Sequence, residues 1–221
     1  GIDADSVLQY DSLQEIVAPL IENDNVVAVG GLVRLANGVE LKDGRMTSYS
    51  LPKKTIAAMQ VFEYDRSFLS ARILFDQFNG NLIISGAFGM FRKDMVVAVG
   101  GYDPDTVGED MELVTKLHVF CKTNGIDYLI KYAPNAVCWS QAPETLRDLI
   151  KQRKRWHRGL FECMTKHWII FGKLLNAGQT CVAPDYILVD SRVKEPLIKA
   201  LRSEIIRQYG TNPTLNENYP Q

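Results

Sequence analysis

The pattern of hydrophobic and polar positions predicts four helices in the first 170 residues. Apolar residues recur at helical spacing over residues 11–23, 51–74, 109–121 and 143–167. The predicted buried face of the second helix consists of Ile56, Met59, Val61, Phe62, Phe68 and Leu69. An Asp11-Ser12 cap is expected to open the first helix, and Pro143 is expected in the first turn of the fourth.

Strands are predicted where β-branched and apolar residues run together. Residues 25–35 form one strand with a bulge or bend at Gly30-Gly31, followed by a turn at residues 36–38. Shorter strands are expected at residues 128–132 and 136–139. We therefore expect an α/β fold with a mixed sheet flanked by helices.

The pattern changes from residue 173. A turn-rich stretch leads to a strand near residues 186–190 and to a helix over residues 193–209 that Gly210 closes. This part of the chain predicts a short strand-helix appendage.

Charge and hydropathy narrow the classes of partner. Lys plus Arg number 25 and Asp plus Glu 26, so the net charge of -1 argues against nucleic acid. Residues 147–158 are strongly basic, which suits a local anionic ligand. No apolar run approaches the roughly 20 residues that span a bilayer, so no transmembrane segment is predicted.

The four cysteines suggest reduced thiols. Their spacing fits neither a zinc site nor a disulfide framework, and no signal peptide precedes them, so we expect a cytoplasmic setting. They are Cys121, Cys138, Cys163 and Cys181. The first residues resemble the end of a buried strand whose body is missing, which indicates an absent upstream segment.

The first candidate for chemistry is Asp3-Ala4-Asp5. Two carboxylates spaced by two point to the same side of an extended chain. Mg²⁺ takes one or two carboxylates together with substrate phosphates, so the pair suits a metal that bridges to a diphosphate. The alternative is a solvated turn at a strand end.

The second candidate is Gly108-Glu109-Asp110, at a predicted helix start. A carboxylate held there could take the proton from an attacking sugar hydroxyl. The alternative is helix capping, since carboxylates satisfy free N–H groups at this end of a helix.

The third candidate is one face of the last long helix, where Gln152, Arg155 and Trp156 are spaced i, i+3, i+4. Arg155 could hold a diphosphate with two hydrogen bonds, and Trp156 could stack on a sugar or an acceptor. The alternative is an amphipathic helix with a buried Trp and an Arg that reaches the solvent.

Together, in this order, these motifs make residues 1–171 resemble the family 2 glycosyltransferases, which have a GT-A fold and use nucleotide sugars. The resemblance is greatest to the processive, membrane-associated branch of cellulose, hyaluronan and chitin synthases. It rests on residues 3–5, 84–89, 106–112, 134–139 and 152–156.

The resemblance implies roles for these residues. Asp3 and Asp5 would serve Mg²⁺ or Mn²⁺ and the nucleotide diphosphate, with Asp5 the more direct ligand, and Asp110 would be the general base. The diphosphate and the acceptor end would be held by Gln152, Arg155 and Trp156, and the acceptor side would be lined by Ser85, Gly86 and Phe88. The implied reaction is a single in-line displacement with inversion, from a nucleotide-sugar donor to a glycan or other hydroxyl acceptor.

The chain also departs from that family. Its members have an upstream half that grips the nucleobase, and transmembrane helices after the Gln-x-x-Arg-Trp helix at the cytoplasmic face of a membrane. Neither is predicted here. The transferase domain is therefore expected to be partial, and its activity is an open question.

Residues 172–221 resemble another family, the fatty-aldehyde type of aldehyde dehydrogenase around its nucleophile loop. The resemblance rests on residues 172–186 and 209–213. It implies Cys181 as nucleophile and NAD or NADP as cofactor, whereas a buried apolar thiol is the alternative. Three hypotheses follow: a nucleotide-sugar transferase, an aldehyde dehydrogenase, and a non-catalytic fusion of two enzyme fragments.

Overall fold

The computed structural model describes residues 1–167 and six helical positions beyond them, which are Glu195, Ile198, Lys199, Arg202, Ser203 and Ile206. These six positions lie in the helix predicted over residues 193–209. The chain divides into two compact units, residues 1–170 and 171–221. The first unit carries every site residue predicted from the glycosyltransferase motifs.

The first unit alternates strands and helices. In chain order its elements are β1 (Val7–Leu8), α1 (Ser12–Glu22), β2 (Val26–Leu35), β3 (Val39–Lys42), β4 (Arg45–Tyr49), α2 (Thr55–Tyr64), a π-helix (Asp65–Ser70), α3 (Ala71–Asp76), β5 (Gly89–Phe91), α4 (Lys93–Ala98), α5 (Glu109–Thr123), β6 (Leu129–Ser140) and α6 (Leu146–Lys166).

A four-stranded mixed sheet forms the centre of this unit, in the order β1-β6-β2-β5. The inner strands β2 and β6 run parallel, and the outer strands β1 and β5 run antiparallel to their neighbours. Almost every residue of β2 is buried, as expected for a strand covered on both faces. Strands β3 and β4 form a separate hairpin. The predicted α/β fold with a mixed sheet is confirmed.

The bend predicted at Gly30-Gly31 is an irregularity in the pairing of β2 with β6. Gly31 pairs with Ala133 and the next residue, Leu32, pairs with Val137. A Cβ on Gly31 would lie 2.2 Å from Phe88 Cδ1, so only glycine fits there. The two strands predicted over residues 128–139 are consequently one strand that carries a bulge.

Helix α1 begins at Ser12 after Asp11, as predicted, but without the expected capping bond, and the predicted start of α6 was wrong. Asp11 makes no side-chain capping bond, and the Ser12 hydroxyl instead donates to Val137 O at 2.5 Å, which ties α1 to the sheet. Helix α6 begins at Leu146, after Pro143. Its cap is Thr145, whose hydroxyl accepts a hydrogen bond from Asp148 N.

The predicted buried face of the second helix was also wrong in part. Met59 and Phe62 are 66% and 69% exposed. The buried positions of α2 are Ala57, Gln60 and Tyr64. Gln60 is polar but occupies the core side because its amide donates to Pro143 O at 2.8 Å, a contact that periodicity does not reveal.

Within the described residues, no helix combines the length and apolar character needed to cross a bilayer.

Candidate functional site

The Asp3 segment lies beside the segment that leads into β5. Gly1 and Gly89 exchange two backbone hydrogen bonds, with N···O distances of 2.7 and 3.0 Å, and Ile2 bridges to Phe88. Asp3 N donates to Ala87 O at 3.4 Å. The expectation of a buried, extended segment was wrong, because Ile2 is 51% exposed and residues 4–5 form a turn, with Ser6 N donating to Asp3 O at 3.1 Å.

Asp3 and Asp5 are both exposed. Within residues 1–167 and the six later helical positions, no cluster of three or more Asp, Glu, His or Cys side chains is placed to hold a metal ion. Two carboxylates suffice for Mg²⁺ or Mn²⁺ when phosphate oxygens and water complete the coordination. The donor set therefore fits a metal bound together with a diphosphate.

Asp110 lies in the first turn of α5, and its two oxygens have different partners. One accepts a hydrogen bond from the neighbouring Met111 N at 2.7 Å, as the capping alternative requires. The other accepts from Gly86 N at 3.2 Å, outside the helix. The Asp110 carboxylate thus accepts one hydrogen bond from the first turn of α5 and another from the segment beside Asp3.

The environment of Asp110 changes its acidity. Burial raises the pKa of this carboxyl above its ordinary value, and the nearby Glu109 charge adds to that effect. The hydrogen bonds from Gly86 and Met111 and the charge of Arg72 oppose it. A carboxylate with a raised pKa is a stronger base than a solvated one, which suits proton abstraction.

The two acidic motifs meet at one short segment, Gly86-Ala87. Gly86 N donates to Asp110, and the next residue, Ala87, accepts from Asp3 N. A Cβ on Gly86 would lie 3.9 Å from Asp110 Cβ, an ordinary contact distance, so Gly86 packs beside this residue without a gap. The structure therefore brings the Asp3 backbone and the Asp110 carboxylate to the Gly86-Ala87 segment.

Helix α6 holds the loop before Asp110. Glu162 accepts hydrogen bonds from Thr106 Oγ1 at 3.0 Å and from Val107 N at 3.1 Å. Gly108 and Gly159 lie in backbone contact. The helix that carries the Gln-x-x-Arg-Trp motif is thereby anchored at the start of α5.

The three predicted residues of α6 differ in environment. Trp156 is half-buried and packs against an apolar cluster, and Arg155 is exposed. Gln152 Oε1 is buried without a hydrogen-bond partner in the described part of the chain. The cluster under Trp156 consists of Val33, Leu35, Tyr64, Ala87 and Ala142. Ala87 belongs to this cluster, and its carbonyl accepts a hydrogen bond from Asp3 N. Trp156 therefore packs against the cluster that includes the segment beside Asp3.

Two further residues position Trp156 and were missed by sequence reasoning. The Arg153 guanidinium lies 4.3 Å from the Trp156 ring centroid and pairs with Glu63 at 2.7 Å. Arg153 lies inside the motif and could have been noticed there. Glu63 comes from α2 and carries no signal in the sequence.

The residues predicted on the acceptor side are placed differently from one another. Ser85 Oγ accepts a hydrogen bond from Ala87 N at 3.3 Å. Phe88 is 3% exposed and packs in the core, so its ring does not face the solvent. Of the three, Gly86 is the one that contacts Asp110.

Tyr102 lies close to the same site and was also missed. A Cβ on Gly1 would lie 3.3 Å from the Tyr102 hydroxyl. The Gly-Gly pair before this tyrosine is a turn signal that could have drawn attention to it. Cys181, the nucleophile of the alternative hypothesis, lies outside the described residues.

Comparison with known proteins shows the family to which the chain belongs. The family model described as "Glycosyl transferase family group 2" matches residues 1–190, past the junction predicted near residue 171. The chain is 31% identical over 166 residues to poly-beta-1,6-N-acetyl-D-glucosamine synthase of Staphylococcus epidermidis, covering 75% of this chain and 35% of that protein. It is 38% identical over 110 residues to the Staphylococcus aureus protein of the same name, covering 50% and 24%.

A solved structure shares the fold. The Pyrobaculum calidifontis mannosyltransferase PcManGT, in complex with GDP-Man and Mn²⁺, matches with a TM-score of 0.50 at 15% identity. The match covers 97% of this chain and 60% of that one. The chain spans about a third of the length of the Staphylococcus epidermidis relative.

Proposed function

Because the chain belongs to glycosyl transferase family group 2, we propose that it carries the base and acceptor side of an inverting, metal-dependent glycosyltransferase. The observation that supports this most directly is the hydrogen bond from Gly86 to Asp110, which joins the base to the segment that also binds Asp3. The donor is a nucleotide-diphosphate sugar, and the acceptor is a glycan hydroxyl.

Asp110 acts as the general base. It takes the proton from the acceptor hydroxyl while that oxygen attacks the anomeric carbon. The hydrogen bonds from Gly86 N and Met111 N fix the orientation of the carboxylate. An in-line attack of this kind inverts the anomeric configuration.

Asp5 and Asp3 hold the donor end of the site. Their exposed carboxylates would hold Mg²⁺ or Mn²⁺, and the bound ion would supply positive charge near the diphosphate leaving group. Arg155, exposed on α6, binds diphosphate oxygens. Trp156 supports the acceptor end from the same helix, and the Gln152 amide completes that face.

The named relatives narrow the substrate class. Both staphylococcal proteins are called poly-beta-1,6-N-acetyl-D-glucosamine synthases. We therefore take UDP-N-acetylglucosamine as donor and a β-1,6-linked N-acetylglucosamine chain as acceptor. None of the proteins described above is an aldehyde dehydrogenase. A separate fragment over residues 172–221 and a cytoplasmic location stay predictions.

Calorimetric titration of UDP into the chain, with and without Mn²⁺, tests the donor site. We expect binding that requires Mn²⁺ and is lost in Asp5→Asn. Asp94→Asn removes another exposed carboxylate, at the start of α4, and should bind as the wild type does. Binding that persists unchanged in Asp5→Asn would contradict the proposed metal site.

A further inference from the structure

Tyr102 is held in place by the backbone of its turn. Gly100 and Gly101 adopt φ values of +81° and +69°, which other residues rarely adopt. Lys116 Nζ donates to Gly101 O at 2.6 Å, and the carboxylate of Asp103 pairs with Lys166. Contacts on both sides of the tyrosine therefore fix its position.

The hydroxyl of Tyr102 points toward the site. The nearest heavy atom to a Cβ built on Gly1 is this oxygen, at 3.3 Å, and Gly86 O follows at 3.8 Å. Gly86 in turn donates to Asp110. The Tyr102 hydroxyl therefore lies beside Gly1, where a side chain on residue 1 would extend. It is also next to the segment that Asp110 contacts.

Tyr102 is available to a ligand. The residue is 47% exposed, and its hydroxyl makes no hydrogen bond to any residue that the structure describes. Burial, and then the charges of Asp110 and Glu109, raise the pKa of Tyr102, so the phenol stays protonated near neutral pH. A half-exposed ring with a free hydroxyl offers both an apolar face and a hydrogen-bonding group.

The charges around Tyr102 indicate which substrate it meets. Asp110 and Glu109 are the charged groups that act on the phenol. The nearby Lys116 and Lys166 are instead held by Gly101 O and by Asp103. A diphosphate here would therefore meet the repulsion of the two carboxylates. A neutral sugar carries no such penalty. Its hydroxyls can bond to the phenol while the apolar side of the sugar packs on the ring.

We propose that Tyr102 is an acceptor-binding residue. Its ring supports the terminal sugar of the acceptor, and its hydroxyl bonds to a sugar hydroxyl next to the hydroxyl that Asp110 deprotonates. This inference rests on the proposed function for the identity of the acceptor. It adds to the site a residue from the turn before α5, in a segment that none of the predicted motifs includes.

The test measures acceptor and donor binding separately. The acceptor probe is a β-1,6-linked N-acetylglucosamine tetrasaccharide, titrated by NMR, and the donor probe is UDP with Mn²⁺, titrated by calorimetry. Loss of one hydrogen bond in Tyr102→Phe should weaken tetrasaccharide binding about 3- to 10-fold. Tyr102→Ala should weaken it further, with UDP binding unchanged in both. Tyr49→Phe, at an exposed tyrosine of β4, is the matched control.

The outcomes separate this inference from the proposed function. Absence of UDP binding in the wild-type chain counts against the donor site, whereas the tetrasaccharide titration still reports on Tyr102. Tetrasaccharide binding that is absent in the wild type, or unchanged in both Tyr102 variants, overturns the inference. Equal weakening of both ligands also overturns it, because that result indicates a structural role.

Discussion

Gly108 and Gly159 lie in direct backbone contact where α6 crosses the start of α5. A Cβ on Gly108 would lie 2.8 Å from Gly159 Cα, and one on Gly159 would lie 2.7 Å from Gly108 Cα. The two glycines let the helices approach closely enough for Glu162 to bond to the loop before Asp110. The placement of the proposed base thus depends on a residue 49 positions away that carries no functional group.

The first prediction concerns Gly159→Ala. In an isolated helix this change is stabilising by roughly 1 kcal/mol. Here the new methyl group meets the Gly108 backbone, so we expect the free energy of unfolding to fall by about 1–3 kcal/mol. Urea denaturation measures the change.

Gly80→Ala is the control for this prediction. Its Cβ would meet only atoms at 3.6 Å or beyond, so its stability should stay within about 0.5 kcal/mol of the wild type. A Gly159→Ala variant as stable as the wild type would mean that the two helices can separate without cost.

The second prediction concerns Asp110→Asn. Asparagine keeps one acceptor oxygen, so the hydrogen bond from either Gly86 N or Met111 N is lost. The cost is about 1 kcal/mol, so the fold and the binding of UDP with Mn²⁺ should persist. The amide is a poor base, so we expect transfer from UDP-N-acetylglucosamine to fall about 10²- to 10⁴-fold, measured as UDP release with the tetrasaccharide present. Glu109→Gln, at the exposed neighbouring carboxylate, should keep most of the activity. Comparable losses of transfer activity in both variants would contradict the assignment of Asp110 as the general base.

The third prediction concerns the pair that orients Trp156. Arg153 joins Glu63 of α2 to the Trp156 ring. Arg153→Ala should cost about 1–2 kcal/mol of unfolding free energy, because the ring contact and the ion pair are both lost. Glu63→Gln should cost less than about 1 kcal/mol. A double-mutant cycle by urea denaturation should show coupling between the two sites, and simple additivity would refute a shared interaction.

The fourth prediction concerns His118, which is buried in α5. Its Nε2 bonds to Asn81 O, which can only accept, so Nε2 carries the proton and Nδ1 accepts from the Tyr128 hydroxyl at 2.6 Å. Burial lowers the pKa of His118 to about 4. The unfolded chain, with an ordinary pKa near 6.5, therefore binds more protons between these two values.

The direction of the pH dependence of stability follows from this difference in bound protons. Stability from this group is complete above about pH 6.5 and is lost as the pH falls toward 4, by about 3 kcal/mol in total. Urea denaturation at pH 7, 5.5 and 4 should show this loss in the wild type and in His157→Gln, where the histidine is exposed. His118→Asn should show a smaller loss, and an equal loss would show that other groups cause the acid sensitivity.

The long, strongly patterned elements were predictable from the sequence. Strand β2 and helix α5 lie where the sequence pattern predicts them, because an apolar run and a helical repeat of apolar residues are local properties of the sequence. The start of α6 was not predictable from Pro143, since Thr145 supplies a better cap two residues later. The exposed Met59 and Phe62 of α2 could not be recognised, because tertiary packing decides which side of that helix is buried.

The residues of the candidate site also differ in whether the sequence predicts them. The carboxylates at positions 3, 5 and 110 stood out as short acidic motifs. Glu63 and Tyr102 did not, because each acquires its significance from a residue distant in the sequence, Arg153 in one case and Gly1 in the other. Sequence spacing identifies the chemical groups of such a site, whereas the residues that orient them depend on the fold.

The parallel pairing of β2 with β6 has a consequence for the order of folding. It places Val26 against Leu129, and the chain between these strands includes Gly86 and Asp110. Closing so long a loop costs entropy before any contact repays it, so proteins with such distant pairings fold slowly. The helices can form early and locally. The central sheet is completed only when β6 docks between β1 and β2, so a nascent chain that lacks β6 would carry every acidic motif before its sheet is complete.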